Sequence, residues 1–205
     1  MRRLTPALVF HKMNMMSHKL NPDSLPRLFL KTRPYRVWSF LTLHPDQPSY
    51  GKQISEATGV SRGATNQILN EFLQQGLVNR ERSGKMWLYT PKPHPIVTSF
   101  RVFENLIALA PLVTGLAGVS RRVILFGSTA QGTDTAESDI DLFVISDQPG
   151  DVAAAVRGFS SDRQIASVIQ TPAEYASART SDRAFIEQVN KGLVLFEKDV
   201  DEQRL

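Results

Sequence analysis

The chain has 205 residues, 41% hydrophobic and 21% charged, a composition that argues against coiled coil, collagen and disorder and leaves room for two small domains. Cysteine is absent, which excludes disulfides, thiolate-bound zinc and thiol catalysis; a metal would be held by carboxylates, imidazoles or ligand phosphates, favouring Mg²⁺ or Mn²⁺. The net charge of +4 divides unevenly, with 14 Lys and Arg against 5 Asp and Glu in residues 1–92, and 10 against 15 in residues 93–205. A basic first half suits a polyanion, and an acidic second half suits metal-bearing carboxylates.

Residues 1–30 read as an N-terminal tail. Their apolar stretch is interrupted by Pro6 and followed by no small-residue cleavage site, so a cytoplasmic location is expected. Apolar runs elsewhere are broken by charge, proline or glycine short of the ~20 residues a membrane span needs, and no membrane partner is expected.

Residues 31–93 form the next unit. Pro34 opens a helix through about His44, with Val37, Trp38, Phe40 and Leu41 at helical spacing. After the turn-rich PDQPSY, residues 51–59 make a short helix with Ile54 and Ala57 inward and Gly59 at its C-terminal stop. Ser61 caps a third helix, with Ala64, Ile68, Leu69, Phe72 and Leu73 as its apolar stripe and Gly76 closing it. Leu77 and Val78 enter a strand, Ser83-Gly84 turns, and Met86 to Tyr89 return. Three helices and a basic hairpin in this order resemble the winged-helix domains of transcription regulators. The resemblance implies that Arg62, Thr65, Asn66 and Asn70 face the major groove of DNA, with Lys52, Arg80, Arg82 and Lys85 on phosphates. Winged helices also serve as protein docking modules, and salt-sensitive DNA affinity separates the two uses.

Residues 94–120 read as a linker helix starting near Pro95, with Val102, Phe103, Leu106, Ile107 and Ala110 on one face and a bend at Pro111. In the last unit, residues 121–205, two apolar runs, Val123 to Phe126 and Ile140 to Ile145, flank a loop of small and polar residues. Gly127-Ser128 is followed by ten residues and then Asp139-Ile140-Asp141. In a strand the two carboxylates share one side, about 7 Å apart, and their repulsion is relieved by a divalent cation. Gly127 admits a phosphate close to the backbone, and Ser128 can donate to it.

Gly-Ser, a ten-residue gap and Asp-x-Asp between two apolar strands resemble the nucleotidyltransferase family related to DNA polymerase β, most closely its minimal branch. The resemblance implies an α/β (α+β) domain with a small mixed sheet bearing helices on one face. It implies transfer of a nucleoside monophosphate from a nucleoside triphosphate to a protein, nucleic-acid or small-molecule acceptor. Asp139 and Asp141 would be catalytic and metal-binding, and Gly127, Ser128, Gln131 and Ser138 nucleotide-binding. Minimal relatives often act on a partner toxin in toxin–antitoxin pairs, so such a partner is one expectation, and a homodimer another.

Two residues depart from the family pattern. Active members present a third carboxylate on a later strand, whereas residues 163–170 hold no acid; Ala166 or Ser167 stands where it is expected, Asp162 before and Glu174 after. Gln131 replaces the Arg or Lys of many relatives. The alternative is a non-catalytic DNA-binding regulator whose transferase-like domain senses nucleotide or mediates assembly. The four histidines, His11, His18, His44 and His94, form no pattern at metal spacing.

Overall fold

The computed structural model describes residues 31–198, so the proposed tail, with His11 and His18, lies outside the described residues. The first unit packs α1 (Arg33–Leu43), α2 (Gly51–Thr58) and α3 (Arg62–Gln74) around Val37, Trp38, Leu41, Ile54, Ile68 and Leu69. Thr32 caps α1 by accepting from the Tyr35 amide, and Trp38 meets Phe72 edge-on at 5.3 Å. Gly59 ends α2 in the left-handed conformation, φ 63°.

Two details of these helices depart from expectation. Ala57 is exposed, while Ser55 and Thr58 are buried. Burial of the two hydroxyls is tolerated because each donates to a nearby carbonyl at 2.6 Å, Ser55 to Val60 and Thr58 to Ile54. Ser61 stands at the N-cap of α3, but its side chain makes no capping bond.

The hairpin β2 (Val78–Ser83) and β3 (Met86–Pro91) turns through Gly84-Lys85. A further strand, β1 (Ser49–Tyr50), pairs with Tyr89 and Leu88 and gives the order β1-β3-β2. Two residues are too few to display a period-2 pattern, which is why the turn-rich segment concealed it.

Helix α4 (Pro95–Leu116) runs 22 residues and continues through Pro111, which removes one backbone donor without ending it. Its buried residues are Arg101, Glu104, Asn105, Ile107, Leu109, Leu112 and Leu116, whereas Phe103 is 43% exposed. The expected apolar face is therefore displaced, because the first half of the helix buries polar side chains. Val97 and Phe100 pack on the winged-helix core, and Leu109, Leu112 and Leu116 on the core of the second sheet. Among the described residues, α4 is long and apolar enough to cross a membrane, contrary to the reading of broken apolar runs. Here it is a core helix whose buried face includes charge.

The second sheet has the order β6 (Ile165–Gln170), β5 (Ile140–Ile145), β4 (Arg122–Phe126), β7 (Leu193–Glu197), with β5 and β6 parallel and the other pairs antiparallel. It is the expected small mixed sheet in an α+β fold. Helices cover both faces, however, not one. Alternate residues Ile140, Leu142 and Val144 face α4 and α6 (Pro149–Gly158); Phe143 and Ile145 face α7 (Pro172–Ser181) and α8 (Arg183–Asn190). A strand that is apolar at five of six positions is the pattern of burial on both sides.

The short helix α5 (Gly127–Gln131) follows β4 and ends at Gly132, φ 68°. A Cβ there would lie 2.0 Å from the Thr98 carbonyl oxygen of α4. Gly132→Ala is therefore expected to destabilise by about 2–4 kcal/mol, combining left-handed strain with backbone overlap. Urea unfolding measures this, with Gly118→Ala, where a Cβ meets nothing within 4 Å, as the near-neutral comparison.

Candidate functional site

The tight step from β4 into α5 sets Gly127 in the left-handed region, φ 68°. A Cβ at that position would fall 2.2 Å from Asp141 Oδ2, so only a glycine backbone can lie against this carboxylate. Asp141 pairs with Phe126 across β4 and β5, which brings the carboxylate to the start of the Gly-Ser turn. Asp139 precedes β5, is exposed, and has its carbonyl held by the Thr129 hydroxyl at 3.1 Å. Ser128 is half-buried beside Gly127, and Gln131 is exposed at the end of α5.

Burial, and secondarily the charge of Asp139, push the Asp141 carboxyl above its ordinary range. Both causes penalise the anion, and a divalent cation would relieve both. The donor set fits such an ion: Asp141 lies against a backbone cradle that a side chain would fill, and the charge of Asp139 acts on it. Ser138 has a different surrounding from that expected of a phosphate ligand. Its hydroxyl accepts from the Thr135 amide at 2.9 Å and shapes the loop that leads to Asp139.

The position of the third acid is settled by register. Asp141 is the neighbour of Ala166, and Leu142 that of Ser167, so Ala166 shares the Asp141 face and Ser167 the opposite one. Asp162 is exposed ahead of β6. Glu174 caps α7 after the far end of β6, where it accepts from the Thr171 amide and hydroxyl. Those bonds, led by the backbone one, hold its carboxyl below the ordinary range. Neither acid replaces the missing one, and among the described residues no group of three or more His, Cys, Asp or Glu could hold a metal.

On the winged helix, Arg62, Asn66 and Asn70 are exposed along α3. Thr65 is not: it is fully buried and its hydroxyl donates to the Val60 carbonyl at 3.3 Å, so it faces the turn between α2 and α3 instead of a groove. Threonine is small enough to be buried when its hydroxyl finds a local acceptor, and helical spacing alone did not reveal that partner. Lys52 is exposed beside Glu56 at 3.7 Å, a surface pair of little strength. Arg80 stacks over Trp87, 4.3 Å from the ring centroid, with Arg82 at 6.0 Å on the same ring and Lys85 exposed in the turn. Trp87, 43% exposed, was missed in the sequence; an aromatic opposite Arg82 in a basic hairpin is the signal that could have found it.

These arrangements define a class: a nucleotidyltransferase-type fold carrying a winged helix-turn-helix. Residues 120–201 match the family model of polymerase beta, nucleotidyltransferase, and residues 30–85 that of the MarR family. The chain thus joins a MarR-type DNA-binding module to a polymerase-β-type nucleotidyltransferase domain, in that order. No curated protein matches it.

The repulsion at the carboxylate pair has a thermodynamic signature. A native carboxyl with raised proton affinity keeps a proton that the unfolded chain has lost. Stability of the metal-free protein therefore falls as pH rises from the ordinary carboxylate value through the raised one. Asp141→Asn is expected to remove that fall and to raise Tm at neutral pH by on the order of a degree or two. Thermal unfolding across this pH range checks it; unchanged profiles would mean that the pair is not under strain.

Proposed function

We propose that the chain is a metal-dependent nucleotidyltransferase working beside DNA, with Gly127, Ser128, Asp139 and Asp141 as its nucleotide site. The observation that carries this reading is the Asp141 carboxylate seated against the Gly127 backbone next to Asp139. Asp139 and Asp141 would hold Mg²⁺ or Mn²⁺, which when bound offsets triphosphate charge and polarises the reacting phosphorus. Ser128 and the first amides of α5 donate to phosphate oxygens. An acceptor nucleophile attacks the α-phosphorus, the bond to the bridging oxygen breaks, and pyrophosphate leaves, with no bond to the protein. The acceptor is a protein such as a toxin partner, a nucleic acid or a small molecule. On the DNA side, Arg62, Asn66 and Asn70 read base edges, while Lys52, Arg80, Arg82 and Lys85 meet phosphates. A DNA-bound protein belongs where DNA lies, which in a bacterial or archaeal cell is the cytoplasm.

Calorimetric titration with each nucleoside triphosphate, with and without Mg²⁺, tests the site. Binding is expected only with metal, and is expected to vanish in Asp139→Asn/Asp141→Asn. Absence of binding under every condition would leave the winged helix as the working half.

Ala166 favours a second reading, in which nucleotide is bound without turnover and the chain acts as a nucleotide-sensing DNA-binding regulator. No carboxylate from β6 is available to take the acceptor's proton. Ala166→Asp is expected to raise pyrophosphate release by about 10²-fold or more if that acid is what limits turnover. A rate unchanged from an already active wild type would instead show that the reaction does without it.

A further inference from the structure

Arg101, Glu104, Asn105 and Asp134 are each more than nine-tenths buried, and all four carry polar or charged side chains. Asp134 Oδ2 accepts from Arg101 Nη2 at 2.6 Å and from Arg163 Nη1 at 2.7 Å, and its Oδ1 accepts from Asn105 Nδ2 at 3.0 Å. Asn105 Oδ1 accepts from Arg163 Nη2 at 2.8 Å, and Arg101 also pairs with Glu104. Two arginines and two carboxylates leave the cluster neutral, with Arg101 Nε its one buried nitrogen lacking a partner among the described residues.

Two routes leave this cluster. One reaches the nucleotide site: Asn105 donates to the Thr129 carbonyl at 3.2 Å, and the Thr129 hydroxyl donates to the Asp139 carbonyl at 3.1 Å. Gln164, next to Arg163, accepts from the Ile140 amide at 2.9 Å, between the two catalytic carboxylates. The other route reaches the winged helix: the Tyr35 hydroxyl of α1 donates to Glu104. The Ala136 amide, in the loop that holds Asp134, donates to the Leu43 carbonyl at the end of α1 at 3.2 Å. Separating one member of a buried ion cluster from the rest leaves uncompensated charge, so the position of each member constrains the others. α1 is thereby bonded to Glu104 and to Ala136, and Ala136 lies in the loop that ends in Asp139.

We infer that the Arg101–Asp134–Arg163–Asn105 cluster positions the nucleotide-binding loop and, through Tyr35–Glu104 and Leu43–Ala136, links nucleotide occupancy to DNA affinity. The inference rests on the reading of the two ligand sites above. Asp134, Arg163 and Tyr35 are positioning residues, since none is among the residues proposed above to hold either ligand. Linkage is reciprocal: whatever factor nucleotide imposes on DNA affinity, DNA imposes on nucleotide affinity.

The test uses the full chain, a fluorescent mixed-sequence duplex of about 30 base pairs at low salt, and α,β-methylene triphosphate analogues with Mg²⁺. In the wild type, saturating analogue is expected to change the duplex Kd by about fivefold or more. Tyr35→Phe keeps the ring packed 5.5 Å from Phe100 and removes only the hydroxyl. It is expected to bind each ligand alone as the wild type does, with the linkage factor reduced toward one. Asp134→Asn is expected to weaken analogue binding at least tenfold while duplex affinity holds; a merely structural role would lower both together. Should Asp134→Asn fail to fold, Tyr35→Phe still decides the matter. A wild type that binds both ligands with a factor of one, or a Tyr35→Phe that keeps the full factor, would overturn the linkage. A wild type that fails to bind one ligand at all would instead overturn the functional reading, and the linkage with it.

Discussion

A carboxylate that is 99% hidden from water must be paired, and the fold is arranged around meeting that demand at Asp134. Its partners come from two distant parts of the chain, Arg101 and Asn105 from α4 and Arg163 from just before β6. Satisfying them fixes where α4 runs relative to the loop after α5 and how β6 meets β5. Once α4 is placed, its early turns are available to the winged-helix core and its later turns to the second sheet. The close approach of Gly132 to Thr98 follows from the same placement, since no side chain could intervene between α5 and α4.

The chain treats its acids in two opposite ways. Asp134 and Glu104 are enclosed with two guanidinium groups, and their charge is spent within the protein. Asp139 and Asp141, five and seven residues further on, form no ion pair among the described residues. Arg163, just ahead of β6, is already committed to Asp134. Gln131 carries no charge. A divalent cation would supply the positive charge that this carboxylate pair lacks.

The parts of the molecule that could be read from the sequence are those where one backbone or side-chain requirement acts over a short span. Gly127, Ser128, Asp139 and Asp141 belong to one strand–turn–strand unit, so fixed spacing carries their chemistry. The α1, α2 and α3 boundaries follow from Pro34, Gly59 and Gly76, whose dihedral restrictions act locally. Long-range partners left no such trace. Arg101, Asp134 and Arg163 are about 30 residues apart in turn, and nothing in their neighbourhoods distinguishes a buried ion from a surface one. The same limit misplaced Thr65 and Ala57, because a hydroxyl that finds a local carbonyl can change which side of a helix is buried. It also hid β1, which exists only because β3 lies beside it.

The substitution of Ala166 for an acid acquires a physical meaning in this context. Asp141 is already raised by burial and by Asp139, and a third carboxylate on the same face would add to the repulsion in the absence of metal. An alanine relieves the metal-free protein of that cost and leaves Asp139 and Asp141 in place. The site is thereby easier to hold folded when empty, at the expense of a group that could accept a proton. For a domain of the kind inferred above, affinity and a stable empty state matter more than turnover. The same residue therefore favours the second reading above, in which the domain binds nucleotide without turnover.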